Sequence, residues 1–62
     1  MDLKNFRRMD PHLLVGLVNT ELRNNAESLE DLCKTHNVTE AELRDRLMEG
    51  GYHFRDELKQ FR

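Results

Sequence analysis

Cys33 and His36 are the side chains in this sequence best suited to chemistry. They are three residues apart, so on a helix both would lie on one face, where a thiolate and an imidazole can hold a metal ion. Zinc takes four ligands, or three and a water, and the only other imidazoles are those of His12 and His53. We therefore interpret Cys33 as a buried thiol and His36 as a polar helix end, and we expect no metal site.

The residue types that catalysis needs do not form a recognisable pattern. A nucleophilic cysteine needs exposure and a neighbour that stabilises the thiolate, whereas the surrounding pattern predicts that Cys33 lies where two helices cross. Acidic pairs such as Glu40 with Glu42 are typical of a solvated helix face. A chain of 62 residues also has little core to give up to an enclosed pocket. We expect a protein that is not an enzyme and that binds no cofactor.

Three helices are expected to position these side chains, and the first begins at Asp10. This residue is a good N-cap, Pro11 suits the first helical position, and Asn24 with Asn25 ends the helix. We interpret Gly16, inside this helix, as a point of close helix packing. The apolar positions that recur at helical spacing, and that we expect to face the core, are Leu13, Leu14, Leu17, Val18 and Leu22.

The second helix is predicted to begin at Ser28 and the third at Thr39. Each is followed three residues later by an acidic residue, the spacing of a capping box, and Gly50-Gly51 ends the third helix. The inner stripes are predicted to be Leu29, Leu32, Cys33 and His36 on the second helix, and Val38, Leu43, Leu47 and Met48 at the third.

The two ends of the chain are expected to pack together. Residues 52–54 alternate as in a strand, and we predict an extended stretch there, followed by a short helix after Asp56. We expect Leu3, Phe6 and Met9 to lie beside this tail. The aromatic residues near the ends fit either a small satellite core or an exposed apolar patch. The predicted fold is all-α, a small three-helix domain with a helix-turn-helix core and a short C-terminal extended or helical element, as one domain over residues 1–62.

Residues 32–47 resemble the bacterial helix-turn-helix pattern position for position. Asn37 stands where that pattern has a turn glycine and is expected to adopt the left-handed backbone, while Val38 fills the gap between the two helices. The pattern predicts two helices that cross at a tight turn, the geometry with which such domains read DNA.

The helix that would enter the major groove is, however, net acidic. DNA affinity depends on neutralising phosphates, so an acidic reading face is a handicap unless basic side chains, in a flexible N-terminal arm or in the tail, anchor the domain. We favour a solvated helix face over DNA binding. The residues expected to contact a nucleic acid or a partner are Arg7, Arg8, Glu40, Arg44, Arg46 and Arg55.

Several short motifs spread over nearly the whole chain carry a wider resemblance. They are Asp10-Pro11 with Leu13-Leu14, Val18-Asn19-Thr20 with Leu22-Arg23, Ser28-Leu29 with Leu32-Cys33, and Gly51-Tyr52 with Phe54, continued by Glu57-Leu58 and Gln60-Phe61. With them the chain resembles a family of short bacterial proteins known only as a domain of unknown function. The resemblance implies a compact helical protein and assigns no activity, ligand or catalytic residue.

The composition says more about the cellular compartment of the protein than about its function. One cysteine cannot form an intrachain disulfide, which favours a reducing, cytoplasmic compartment. No apolar run approaches the ~20 residues of a membrane span, and residues 1–6 do not resemble a signal peptide. The chain begins with Met, and we expect a complete small protein. The formal net charge of -2 conceals basic ends and an acidic middle.

These observations predict a non-catalytic module for protein interaction or regulation, without a membrane. The expected partner is another protein or a second copy of the chain in a homodimer, because oligomerisation stabilises small chains. The first helix also carries polar residues, Asn19, Thr20 and Arg23. They fit surface hydrogen bonding, with Asn19 bracing the loop at Asn24-Asn25 as another interpretation, or a contact patch for a partner. The alternative function is that of a DNA-binding helix-turn-helix transcriptional regulator.

Overall fold

The computed structural model describes residues 3–62 and has the predicted three-helix fold. A short 3-10 helix over Phe6–Arg8 precedes α1 (Pro11–Asn24), α2 (Leu29–His36) and α3 (Glu40–Glu49). Two short strands follow, β1 (Phe54–Arg55) and β2 (Gln60–Phe61), which pair antiparallel with Phe54 opposite Phe61. The all-α class with its helix-turn-helix pair, α2 and α3, is confirmed.

The helices begin at the predicted caps, with one difference at Thr39. The carboxylate of Asp10 accepts from the His12 N–H at 2.9 Å, and the Ser28 hydroxyl accepts from the Asp31 N–H at 3.0 Å. Thr39 is the N-cap of α3, but its side chain makes no cap hydrogen bond, so the predicted capping box there is wrong. Its acidic partner, Glu42, instead pairs with Arg7 of the 3-10 helix.

The turn between α2 and α3 has the predicted geometry. Asn37 adopts the left-handed conformation at φ 56°, and the Val38 N–H donates to the Cys33 carbonyl at 3.0 Å. At the other end of α3, Gly51 has φ +88°, and a Cβ on Gly50 would lie 2.6 Å from the Cβ of Pro11. The glycine pair therefore both ends α3 and lets it approach the start of α1.

Three apolar side chains of α1 are fully buried, those of Leu14, Val18 and Leu22. The helix packs mainly against α3 and β2. Two other leucines of α1 are exposed. Leu13 and Leu17 were expected in the core but are 68% and 40% exposed. They lie on the neighbouring stripe of α1, ~60–100° around the helix from Leu14, and that stripe faces solvent, so their assignment to the core is wrong. The buried apolar residues form one cluster: Leu3, Phe6, Leu14, Val18, Leu22, Ala26, Leu29, Leu32, Cys33, Leu43, Leu47 and Phe61.

Two further expectations for the core are corrected. Met48 is half exposed, because the inner stripe of α3 consists of Leu43 and Leu47, four residues apart. Gly16 does not mark close packing within residues 3–62, since a Cβ built on it would have no atom of these residues within 4 Å outside the adjacent backbone of its own helix.

The tail is a β-hairpin, so the predicted helix after Asp56 is wrong. The turn between the strands places Lys59 at φ 52°, and its ammonium donates to the Ala26 carbonyl at 2.9 Å. The extended stretch predicted at residues 52–54 is confirmed only in part, since β1 begins at Phe54. Its ring contacts that of Phe61 edge-on, with centroids 5.1 Å apart.

The leading segment, residues 3–9, is part of the fold and is not a flexible arm. Leu3 and Phe6 are buried in the core cluster that also contains Phe61, and Met9 packs against this cluster. The 3-10 helix contacts α3, so the expected packing beside the tail stays a prediction. The aromatic residues near the two ends thus join the main core, and no separate satellite core forms among the described residues.

Candidate protein-interaction surface

A line of four exposed residues runs along the solvent side of α1. Leu13, Leu17, Thr20 and Asn24 are spaced four, three and four residues apart, the spacing of a coiled-coil seam, and all are exposed. We call this set the α1 outer face. Because Leu14, Val18 and Leu22 of the same helix are fully buried, the face is held on a fixed element of the fold.

The α1 outer face is uncharged, although 35% of the chain's residues are charged. No Asp, Glu, Lys or Arg occurs between residues 11 and 20. The Thr20 hydroxyl donates back to the Gly16 carbonyl at 2.8 Å, so its hydrogen is used within the helix. Gly16 adds no side chain beside the leucines. The surface presented is therefore uncharged as far as Thr20, with two leucines on it, and the exposed Arg23 follows on the Gly16 side.

Glu21 borders this face but turns its charge into the protein. Its side chain is among the buried ones, at 9% exposure. Asn25 donates to one carboxylate oxygen at 2.5 Å, and His36 of α2 lies 3.1 Å from the other. These hydrogen bonds, that from Asn25 above all, hold the pKa of Glu21 below its ordinary value against the opposing effect of burial. The contact between Glu21 and His36 also links α1 to α2.

A shallow recess opens beside the face, one to three turns from Leu13 toward the C-terminal end of α1. It is lined by Leu17, Thr20, Glu21 and Asn25. The same helix side therefore carries both an exposed leucine and a depression. Sequence reasoning missed Glu21 and this recess. The four-residue spacing of Glu21 and Asn25 was the available local signal, while His36 is fifteen residues away.

The predicted contact residues on α3 are engaged within the protein. Arg44 donates to Glu40 at 2.9 Å and lies over the Phe54 ring, 5.3 Å from its centroid. Arg46 donates through two nitrogens to the Met9 carbonyl, at 3.1 and 2.7 Å, and pairs with Glu49 through the third nitrogen. Arg46 therefore fastens the leading segment to α3.

The remaining predicted contact residues lie apart from one another. Arg7 pairs with Glu42 and lies 5.7 Å from the centroid of the Phe6 ring, close to Arg46 around one shallow depression. Arg8 and Arg55 are exposed, on the 3-10 helix and on β1 respectively. The structure thus groups Arg7 with Arg46 and Glu40 with Arg44, and it does not bring the six residues into one site.

Cys33 and His36 have the roles that the sequence predicted. Cys33 is 5% exposed, and burial raises the pKa of its thiol. His36 faces Glu21 and not the thiol. Within residues 3–62, no group of three or more His, Cys, Asp and Glu side chains is arranged to hold a metal ion. His12, which is exposed, lies 2.6 Å from the Tyr52 hydroxyl through its Nδ1.

Asn19 has a structural role that the sequence did not reveal. Its amide donates to the Phe61 carbonyl at 3.0 Å and accepts from the Phe61 N–H at 2.8 Å. These are the two bonds that a neighbouring strand would supply at that position, so the side chain replaces a strand at the outer edge of β2. The polar residues of α1 are therefore divided between holding the tail and forming the outer face.

Comparison with known proteins places the chain in a family but does not supply an activity. No curated protein matches it, and no solved structure matches it. In the part of the chain that the structure describes, no helix has the length and apolarity needed to cross a membrane. The model of the family described as domain of unknown function DUF4250 matches residues 8–61. The chain belongs to this family of unknown function.

Proposed function

We propose that this protein is a non-catalytic protein-interaction module that associates with a second copy of itself through the α1 outer face. The observation that supports this most is the exposure of Leu13 and Leu17 on a helix that buries Leu14, Val18 and Leu22 completely. Contiguous exposed apolar surface on a small protein is typical of an interaction site.

A second copy fits this surface better than a charged partner would. Two uncharged faces bring no like charges together, and the absence of a side chain at Gly16 lets two helix backbones approach. The face runs ~16 Å along α1. That is too short to bury the ~800 Å² per partner of a standard interface, so we expect a weak dimer, with a dissociation constant in the micromolar range or higher.

A weak dimer gives the module a regulatory character. By mass action, the dimer fraction follows the concentration of the protein itself. The isolated fold of 62 residues also has a small stability margin, to which association adds. The single, buried cysteine is consistent with a reducing compartment, and we propose the cytoplasm, which fractionation of cells producing the protein would test.

Sedimentation equilibrium at concentrations spanning two orders of magnitude tests the proposal. We expect the average mass of the wild type to rise toward that of a dimer, and Leu17→Glu to keep it monomeric. Leu58→Glu is the matched control, because Leu58 is 47% exposed on the hairpin turn and is not part of the α1 outer face, so it should leave association unchanged. A wild type that is monomeric throughout, or an equal effect of both variants, would contradict the proposal.

DNA binding is the second hypothesis, supported by the α2–turn–α3 geometry alone. The arginines of α3 are committed to intramolecular partners, and the helix remains net acidic, which weakens this hypothesis. It predicts affinity for mixed-sequence duplex DNA at low salt, with a steep salt dependence that Arg44→Ala or Arg46→Ala reduces. A flat titration at ~50 mM salt would count against it.

A further inference from the structure

We infer that the outer edge of β1 is a second binding surface, which takes up an extended peptide with lysine or arginine side chains as an added antiparallel strand. This inference does not depend on the proposed self-association through α1.

The hydrogen-bond pattern of the hairpin leaves one of its two edges open. His53 and Arg62 exchange both of their backbone hydrogen bonds, at 2.9 Å each. Because the bonds of an antiparallel pair alternate, the next two residues, Phe54 and Phe61, point their N–H and carbonyl groups outward. The groups of Phe61 bond to Asn19. The groups of Phe54 have no hydrogen-bond partner in the part of the chain that the structure describes, so an added strand can exchange two hydrogen bonds there.

A groove of about 410 Å³ lies beside this edge, between the hairpin and the N-terminal parts of α2 and α3. The charged residues that line it are four acidic and two basic: Glu27, Glu30, Glu40, Asp56, Arg44 and Lys59. Both basic side chains are engaged, since Arg44 donates to Glu40, and Lys59 donates to a backbone carbonyl. The carboxylates of Glu27 and Asp56 form no ion pair with any described residue. The groove therefore favours a positively charged side chain and opposes an acidic one.

Strand addition would direct such side chains into the groove. A residue that exchanges both hydrogen bonds with Phe54 has its side chain on the same face as the Phe54 ring. This ring packs against the core and lines the groove. Every second side chain of the added strand therefore points toward the carboxylates. A second copy would instead bring a second set of the same carboxylates to this edge, which like charges oppose, so the occupant we assign is a basic peptide.

Titration of isotope-labelled protein with synthetic peptides tests the inference by NMR. The probe is a peptide of about eight residues in which lysine alternates with threonine. We expect the amide signals of Phe54 and Arg55 to shift, and exchange of the Phe54 N–H with water to slow at least ~10-fold at saturation. N-methylation of the lysine residues removes the donors that face Phe54 and should weaken binding at least ~10-fold. N-methylation of the threonine residues, whose N–H groups face away, is the matched control and should leave binding unchanged.

Two protein variants test the contribution of charge at about 0.15 M salt. Glu27→Lys should weaken binding of the lysine peptide at least ~5-fold. Glu57→Lys, at an exposed position of the hairpin turn that does not line the groove, should change it less than ~2-fold.

Four outcomes would overturn the inference. The first three are the absence of shifts up to ~1 mM peptide, equal effects of the two N-methylations, and equal effects of the two protein variants. The fourth is protection of the Phe54 N–H that rises with protein concentration when no peptide is present, which would identify a second copy as the occupant of this edge.

Discussion

Replacing Asn19 tests whether one side chain holds the tail to α1. Asn19→Ala removes both hydrogen bonds to Phe61 and leaves the N–H and carbonyl of a buried residue without partners. Loss of such bonds costs about 1–3 kcal/mol when a buried group is left unsatisfied. The expected total stability of a 62-residue chain is only ~3–9 kcal/mol, so Asn19→Ala should lower the melting temperature by about 10–20 °C.

Asn19→Asp makes the test more specific. The carboxylate still accepts from the Phe61 N–H, but its second oxygen opposes the Phe61 carbonyl, to which Asn19 donates in the wild type. We expect this variant to be at least as unstable as Asn19→Ala at neutral pH. Acidification protonates the carboxyl, restores a donor and should recover part of the stability relative to wild type.

Urea unfolding followed by circular dichroism at neutral and acidic pH measures both effects. Arg23→Ala is the matched control, one turn further along α1 on an exposed position, and should change the unfolding free energy by less than ~0.5 kcal/mol. If Asn19→Ala were no more destabilising than Arg23→Ala, the side chain would not hold β2, and the reasoning would be refuted.

Three other predictions follow from contacts of single residues. Arg46→Ala should lower the free energy of urea unfolding by about 1–2 kcal/mol, because the guanidinium of Arg46 donates two hydrogen bonds to the Met9 carbonyl. Arg44→Ala should lower it by less than ~0.5 kcal/mol, because Arg44 pairs with Glu40 on the exposed surface. Equal losses in the two variants would contradict this prediction. Because the hydrogen bond from Asn25 above all lowers the pKa of Glu21 in the folded chain, the contribution of Glu21 to stability is present at neutral pH and lost as pH falls below 4.5. Glu21→Gln should therefore show a shallower loss of stability on acidification; an unchanged acid profile would refute the stabilising role of the Glu21 carboxylate. Because burial raises the pKa of Cys33, iodoacetamide should alkylate the native thiol at pH 8 at least ~100-fold more slowly than the urea-unfolded one; fast native labelling would show that the thiol is accessible.

The helix ends could be predicted because their signals are local. Asp10 with Pro11, Ser28, Asn37 and Gly50-Gly51 act within a few residues along the chain, through a cap, a ring or a left-handed backbone. Thr39 shows the limit of such signals. Glu42, the predicted capping partner of Thr39, pairs instead with Arg7, which is thirty-five residues away in sequence.

The inner side of α1 could not be chosen from the sequence. Leucine and valine occupy two adjacent stripes of this helix, one through Leu14 and Val18 and the other through Leu13 and Leu17, and both have helical spacing. Only the packing of α3 and β2 decides which stripe is buried. The sequence pattern therefore assigns Leu13 and Leu17 of the α1 outer face to the core together with the buried stripe.

The tail was mispredicted because its contacts are long-range. Phe54, Leu58 and Phe61 have helical spacing, but pairing of the two strands, the Asn19 bracket and the Lys59 bond to Ala26 together favour the hairpin. The partner of Arg46 could not be predicted either, because it is the carbonyl of Met9, which is far from Arg46 in sequence.

A dilution series of amide chemical shifts shows which surface of the protein associates. We expect concentration-dependent shifts in the wild type that cluster at Leu13, Gly16, Leu17, Thr20 and Asn24 and vanish in Leu17→Glu. Shifts that do not change with concentration, or that centre on α3 and leave α1 unaffected, would contradict the claim that the first helix is the surface through which this protein associates.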